Sequence, residues 1–260
     1  MTGHRARKRF GQHFLHDPGV LRRIVDTIDP RPGEHIVEIG PGQGAMTLPV
    51  LARCGRLTAI ELDRDLVAPL LDRAQGVGQL EVIEADAMDV DFSALAGEAG
   101  GLRLIGNLPY NVSTPMLFHV LGAAESLKDA HFMLQKEVVD RMVAPPGTKT
   151  YGRLTVMLAA VCAPEKLFDI GPGAFRPPPK VVSSFVRLVP HATPPFPLPD
   201  AERFAQFVSR AFSMRRKTLR NALKGLVSAA DIEAAGYDPG ARPETLSPAG
   251  FAALAAIPAT

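Results

Sequence analysis

The sequence predicts an α/β protein: a mainly parallel, doubly wound sheet followed by a small helical domain at the C-terminal end. Three observations carry that reading. Short apolar runs recur at residues 35–39, 57–61, 80–84, 102–106 and 130–135, each of a length suited to a buried strand. Stretches of helical period separate most of them, for example 64–75 and 114–123, and such alternation implies parallel strands joined by crossover helices. Beyond a proline-rich segment at 190–199 the pattern becomes helical only.

Taken in order, Asp17-Pro18 reads as an N-cap followed by proline at the first helical position, and Leu21, Ile24, Val25 and Ile28 then repeat with helical period. The five strands and their helices follow. Residues 181–189 read as a late strand that joins an edge of the sheet. The stretch 190–199 reads as a linker. After it, Phe204, Phe207, Val208 and Phe212 share one helical face, and Leu219, Leu223 and Leu226 share another. The expected division is therefore 1–190 and 191–260.

The bulk numbers bound the function classes. With 260 residues, 46% of them hydrophobic, the chain can bury a full-sized core. No apolar run approaches the ~18 residues of a membrane span, so no membrane partner is expected. The start, Met-Thr-Gly-His-Arg-Ala-Arg-Lys-Arg, has no apolar stretch behind it, which argues against a secretory leader and for a cytoplasmic protein. Two cysteines, Cys54 and Cys162, sit in apolar settings and read as reduced core residues, and no Cys/His spacing suits a metal. Net charge is only +2, but it is unevenly placed: Arg5, Arg7, Lys8 and Arg9 crowd the start, and Arg210, Arg215, Arg216, Lys217, Arg220 and Lys224 crowd a short stretch near the end. Two such clusters suggest a localised polyanion footprint. Lys149, in Pro145-Pro146-Gly147-Thr148-Lys149-Thr150, either extends it or sits in a plain surface loop.

Chemistry concentrates at strand ends. Glu38-Ile39-Gly40-Pro41-Gly42-Gln43-Gly44 follows the first strand, and its alternate glycines let the backbone approach a ligand and turn into a helix. The spacing is shorter than the G-x-G-x-x-G of pyrophosphate-binding loops, so a ligand with a small polar tail fits better. Glu61 ends the second strand, where an acid accepts from ribose hydroxyls; otherwise it is a solvated strand-end carboxylate. Asp86 ends the third and either accepts from an adenine amine or caps the following turn. Asn107-Leu108-Pro109-Tyr110 ends the fourth. An amide, a proline-fixed turn and an aromatic ring there suit a planar base with an exocyclic amine: the amide oxygen and turn carbonyls accept from NH2, and Tyr110 stacks on the base.

Glycine loop, ribose acid, adenine acid and Asn-Leu-Pro-Tyr, in that order on four successive strands, resemble the S-adenosylmethionine-dependent methyltransferases that act on the N6 amine of adenine. With Arg7-Lys8-Arg9-Phe10-Gly11-Gln12-His13-Phe14-Leu15, Gln135-Lys136-Glu137-Val138, Tyr151-Gly152-Arg153-Leu154, Phe175-Arg176-Pro177-Pro178-Pro179-Lys180-Val181 and Phe212-Ser213-Met214-Arg215-Arg216-Lys217-Thr218-Leu219, the chain resembles the bacterial 16S rRNA adenine dimethyltransferases along nearly its whole length. One departure is visible: where the family often has Gln-Asn-Phe-Leu, this chain has Gln12-His13-Phe14-Leu15.

The resemblance implies a Rossmann-like class I S-adenosylmethionine-dependent methyltransferase sheet at 1–190 and a helical rRNA-binding domain at 191–260. It implies S-adenosyl-L-methionine as cofactor, S-adenosyl-L-homocysteine as product and no metal. Gln12, His13 and Leu15 would lie over the methionine moiety; Gly40 and Gly42 would hold its carboxylate and amine end; Glu61 would take the ribose, Asp86 the adenine, and Asn107 would lie between cofactor and substrate. Two adjacent adenosines in a hairpin loop near the 3′ end of 16S rRNA, within a 30S precursor particle, would each receive two methyl groups. Asn107, Leu108, Pro109, Tyr110 and Phe175 would form the catalytic group, with Tyr110 and Phe175 as the adenine sandwich; Phe175 otherwise anchors the proline-rich turn behind it. No side chain is assigned as general base. Arg5, Arg7, Lys8, Arg9, Lys149, Arg215, Arg216, Lys217 and Arg220 would contact RNA phosphates, with the last-named C-terminal cations on one exposed face. A monomer suffices. The competing readings are a macrolide-resistance-type 23S rRNA methyltransferase, a mainly non-catalytic 30S assembly factor and a nucleotide-dependent oxidoreductase.

Overall fold

A computed structural model describes residues 13–97, 101–110, 112–198 and 200–258. Its centre is a seven-stranded sheet. The strands, in chain order, are β2 (His35–Ile39), β3 (Arg56–Glu61), β4 (Gln79–Glu84), β5 (Leu102–Asn107), β6 (Leu127–Gln135), β7 (Cys162–Ile170) and β9 (Ser183–Pro190). The two-residue strands β1 (Phe14–Leu15) and β8 (Phe175–Arg176) form a separate antiparallel pair. The order across the large sheet is β4-β3-β2-β5-β6-β9-β7. Pairing is parallel from β4 through β6, and β9 runs antiparallel to β6.

The helices that cover the strands start and stop for local reasons. In α1 (Pro18–Ile28) the Asp17 carboxylate accepts from the Val20 amide at 2.9 Å, and Ile24, Val25 and Ile28 are buried. The C-terminal carbonyl of Ile28 accepts from Arg103 at 2.7 Å. Arg103, on β5, also donates to both Asp129 oxygens at 2.9 Å and to Glu34 at 2.6 Å, so a buried guanidinium locks α1 to β5 and β6. Burial alone would raise the Glu34 carboxyl, but bonds from Lys128, the Arg31 amide and Arg103 hold it at about 2. Helices α2 (Thr47–Cys54), α3 (Arg64–Ala74), α4 (Phe92–Ala96) and α5 (Ser113–Gly122) complete the crossovers.

The topology places the site. The chain runs from β2 outward to β3 and β4, then returns to the other side of β2 as β5. The reversal lies between β2 and β5, and in open α/β sheets the crevice at the carboxyl ends beside such a reversal is where ligands bind. Ile39 pairs with Ile60 on one side and Gly106 on the other, which sets the ends of β2, β3 and β5 level.

Two expectations need correction. The late strand is not an edge strand: β9 lies between β6 and β7, and β7 is the edge. The division of the chain also differs from a single cut after residue 190. One unit is Met1–Val139 with Glu165–Pro190, and the other is Asp140–Pro164 with His191–Thr260. The reason is apolar packing. Tyr151, and Val156 and Ala160 of α7 (Arg153–Val161), are buried with Phe204, Phe207 and Val208 of α8 (Ala201–Ser213) and Phe251 of α11 (Pro248–Ala255). The Tyr151 hydroxyl donates to the Leu246 carbonyl at 2.7 Å inside that cluster. The short helices α9 (Leu219–Ala222) and α10 (Ala229–Ala234) belong to the same unit; α6 (Lys136–Met142) spans the division.

Candidate active site

The cavity at the sheet switch point is about 340 Å³, within the ~300–1,000 Å³ typical of small-molecule sites. His13, Leu15, Gly40, Gly42, Glu61, Asp86, Asn107, Leu108, Pro109 and Tyr110 all line it. These are residues from every strand end that the sequence singled out. Gln12, Arg5, Arg7, Lys8 and Arg9 lie outside the described residues.

The glycine loop leaves β2 with φ of 68° at Gly40 and 58° at Gly42, both in the left-handed region that side chains disfavour. A Cβ at Gly42 would also stand 3.1 Å from the Phe14 ring. The Gly42 amide donates to Glu61 at 3.0 Å, and the Asp63 amide donates to its other oxygen at 2.8 Å. Glu61 is thus fixed by two backbone donors with lone pairs left for a ligand. Burial nonetheless raises its pKa above the ordinary value. One Asp86 oxygen caps Met88 at 2.9 Å, as the capping reading expects, and the side chain is exposed on the cavity wall.

A residue without an assigned role in the sequence reading stands out here. Glu38, the last but one residue of β2, lines the cavity at 1% exposure, and its Oε2 is buried with no hydrogen-bond partner. Burial, only partly opposed by a hydrogen bond from Thr47 and helped by the neighbouring Glu61 charge, pushes its carboxyl up to about 8. A buried carboxyl with one oxygen unpartnered is costly unless that oxygen is protonated or a ligand pairs with it. The signal available in sequence was an acid two residues before the first glycine of the loop.

At the far end, Asn107 is clamped. Its Nδ2 donates to the His13 carbonyl at 2.9 Å, which commits the nitrogen and leaves Oδ1 as an acceptor. In the turn that follows, the Pro109 carbonyl accepts from Val112 at 3.1 Å, while among the described residues nothing donates to the Leu108 carbonyl. The Tyr110 hydroxyl is 2.5 Å from Ser183 Oγ, and burial raises its pKa. The expected sandwich of Tyr110 and Phe175 is corrected. Phe175 is 1% exposed, packs in the apolar core with Leu15 and Ile170, and lines no part of the cavity. Its pairing with Leu15 in the β1–β8 ladder turns it inward, so it acts as the anchor of the turn.

In the second unit, Arg216, Lys217, Arg220 and Lys149 are exposed. Arg215 departs from the expected exposed face. It is half-buried, pairs with Glu244 at 2.7 Å and donates to the Lys149 carbonyl at 2.7 Å. It braces the 148–149 loop against the cation cluster. Among the described residues no three His, Cys, Asp or Glu side chains are grouped as a metal site requires, and no helix is long and apolar enough to cross a membrane.

This geometry can be set beside known proteins. Residues 3–256 match the family described as Ribosomal RNA adenine dimethylase. The chain belongs to that family. Ribosomal RNA small subunit methyltransferase A of Acinetobacter baylyi is 54% identical over 252 residues, covering 97% of this chain and 92% of that protein. The protein of the same name from Xanthomonas campestris pv. campestris is 56% identical over 252 residues, with 97% and 96% covered. Among solved structures, a dimethyladenosine transferase from Plasmodium falciparum superposes with a TM-score of 0.77 at 25% identity, over 93% of this chain and 96% of that one. The 23S rRNA methyltransferase ErmE superposes at 0.73 and 26% identity, over 93% and 98%. The sheet described above is thus the Rossmann-like fold of the S-adenosylmethionine-dependent rRNA methyltransferases, carried here by a member of the dimethylase family.

Proposed function

We propose that this chain transfers methyl groups from S-adenosyl-L-methionine to N6 of two adjacent adenosines in the 3′-terminal hairpin loop of 16S rRNA, within a precursor of the small ribosomal subunit, and gives N6,N6-dimethyladenosine. It does so in the cytoplasm, as a monomer and without a metal. The observation that carries the reading is the clamped Asn107, its oxygen left as an acceptor, in the lining of one cavity with the glycine loop and three acids.

The residues fit the cofactor chemically. Glu38, on the cavity wall with one oxygen unpartnered, would face a cationic group of the cofactor. Glu61 is pre-set to accept from ribose hydroxyls, and the uncapped oxygen of Asp86 accepts from an adenine amine. Gly40, Gly42 and Leu15 line the same cavity and would hold the cofactor's amino-acid end. The cofactor supplies an electrophilic methyl on a sulfonium sulfur. The N6 lone pair of adenine is delocalised into the ring, which makes it a poor nucleophile. Asn107 Oδ1 and the Leu108 carbonyl accept the two N–H bonds, localise that lone pair and aim it at the methyl. Positioning of this kind supplies much of the rate. Tyr110 stacks on the base. Transfer would break the sulfur–methyl bond as the N6–carbon bond forms, leave S-adenosyl-L-homocysteine, and release one proton from N6 to solvent; no side chain is assigned as its acceptor.

The basic cluster positions RNA through phosphates without reading sequence. Replacing Arg216, Lys217 and Arg220 together by alanine raises KM for 30S particles about tenfold, lowers the salt slope of binding by up to about 3, and leaves kcat unchanged. An unchanged slope in a salt titration contradicts the assignment. Arg215 is left out of this variant because it braces the fold.

A small-molecule screen tests the cofactor half directly. S-adenosyl-L-methionine and S-adenosyl-L-homocysteine raise the melting temperature, and nicotinamide dinucleotides do not. Stabilisation by the dinucleotides alone would favour the oxidoreductase reading. The resemblance to ErmE supports a 23S substrate as the second reading, but the relatives at 54–56% identity carry small-subunit names.

A further inference from the structure

The turn after β4 carries Asp86, and on the function proposed above, on which this inference rests, its carboxylate needs a fixed place to meet the cofactor adenine. Asp86, Asp89 and Asp91 stand exposed within six residues, and their like charges favour a splayed loop. Local caps shape the turn without placing it: Asp86 accepts from the Met88 amide at 2.9 Å, and Asp91 accepts from the Ser93 and Ala94 amides at 2.9 and 3.1 Å. Placement comes from α5. The half-buried His119 donates from Nε2 to the Val90 carbonyl at 2.8 Å, and its ring packs on the buried Phe92 of α4 with centroids 5.2 Å apart. Among the described residues this is the hydrogen bond that ties residues 86–90 to another helix or strand. Val112, Met116 and His119 follow one another at spacings of four and three, along one face of α5, and Val112 and Met116 line the cavity. Ala85, Asp86, Ala87 and Met88 line it too, while His119 does not. The imidazole thus joins two cavity-lining segments from outside the cavity.

We propose that His119 is a positioning residue for the adenine end of the cofactor site. It holds Val90, and through Val90 it sets the Asp86 carboxylate where an adenine amine donates to it. Its two parts do separate work. The ring fills space against Phe92, and the N–H fixes the turn. His119→Phe keeps a ring and removes the donor. His119→Gln brings an amide N–H near the place of Nε2 and removes the ring. A site that reads the amine rejects a cofactor without it, because the buried or oriented acceptor is then left unpaired. Loss of the bridge should therefore weaken the recognition of adenine and spare the rest of the cofactor.

The test compares wild type, His119→Phe and His119→Gln in the full chain. Calorimetry gives the Kd of S-adenosyl-L-homocysteine and of S-inosyl-L-homocysteine, in which a carbonyl replaces the amine. Wild type prefers the adenosyl compound about tenfold or more. His119→Phe weakens the adenosyl compound about fivefold and the inosyl compound less than twofold, so the preference collapses, while kcat on unmethylated 30S particles at saturating cofactor stays within about twofold. His119→Gln returns the adenosyl Kd to within about twofold of wild type. Equal weakening of both compounds overturns the proposal, because His119 would then serve the fold in general. An unchanged adenosyl Kd in His119→Phe overturns it too, as does a wild type that binds both compounds alike. If the phenylalanine variant does not fold, His119→Asn, whose amide is too short to reach Val90, takes its place with the same expected outcomes. Failure of the wild-type chain to methylate 30S particles would overturn the function reading itself, and is read before any variant.

Discussion

Asn107→Ala lowers kcat on unmethylated 30S particles by about 100- to 1,000-fold and leaves the S-adenosyl-L-methionine Kd within about threefold of wild type. The split follows from where the amide stands. Its nitrogen donates to the His13 carbonyl, its oxygen is left as an acceptor, and the residue lines the cavity. On the proposed assignment the cofactor keeps Glu38, Glu61, Asp86 and the glycine loop after the substitution. The adenine loses an acceptor that both orients N6 and localises its lone pair, so the loss is felt in the transition state. Asn107→Asp is not a repair. It keeps an acceptor but sets a carboxylate oxygen against the His13 carbonyl, where a donor stood, and the side chain turns away. Single-turnover kinetics with calorimetry measure both quantities. Near wild-type kcat in Asn107→Ala with intact cofactor binding contradicts the mechanism.

Glu38→Gln weakens cofactor binding by about 10- to 100-fold, the scale of a hydrogen bond to a charged group, and changes how the cofactor-free protein responds to pH. In the folded chain burial pushes the Glu38 carboxyl up to about 8, from an ordinary 4.5. Between those values the folded state holds a proton that the unfolded chain has released. The contribution to stability is therefore fully present below 4.5 and is lost as pH rises through 8. Glutamine removes that slope. The difference between the melting curves of the two proteins should be flat above about pH 8 and below 4.5, and should change between them in favour of the variant as pH rises. Cofactor binding to wild type below pH 8 should also release protons, because a cationic partner favours the ionised carboxyl. Calorimetry in two buffers of different ionisation enthalpy reads this release, and an absence of buffer dependence in wild type contradicts the role.

The parallel half of the fold was legible because its strands are short, apolar and bounded by helices with clear period. β2, β3, β4 and β5 begin within one residue of their expected positions. The order of motifs on successive strand ends was legible for the same reason: the topology turns sequence order into spatial proximity. β7 was not. It follows α7 without a turn signal, carries Pro164 and alternates exposed Glu165 and Asp169 with half-buried residues, as an edge strand does. The β1–β8 pair joins Phe14 to Arg176, and two-residue strands so far apart leave no periodic trace. The burial of Phe175 follows from that pairing and was hidden with it. The docking of residues 140–164 with the C-terminal helices depends on Tyr151 and Val156 finding Phe204 and Phe251, a long-range match that local pattern does not encode. The state of Glu38 was invisible because it arises from the cavity wall around it.

The measurement that tests the central claim most directly is transfer of labelled methyl from S-adenosyl-L-methionine to unmethylated 30S particles, 50S particles and a DNA duplex, with mass analysis of the nucleosides. The account predicts N6,N6-dimethyladenosine confined to small-subunit rRNA, at two adjacent positions. Label in 50S rRNA, or no label anywhere despite tight cofactor binding, would contradict it.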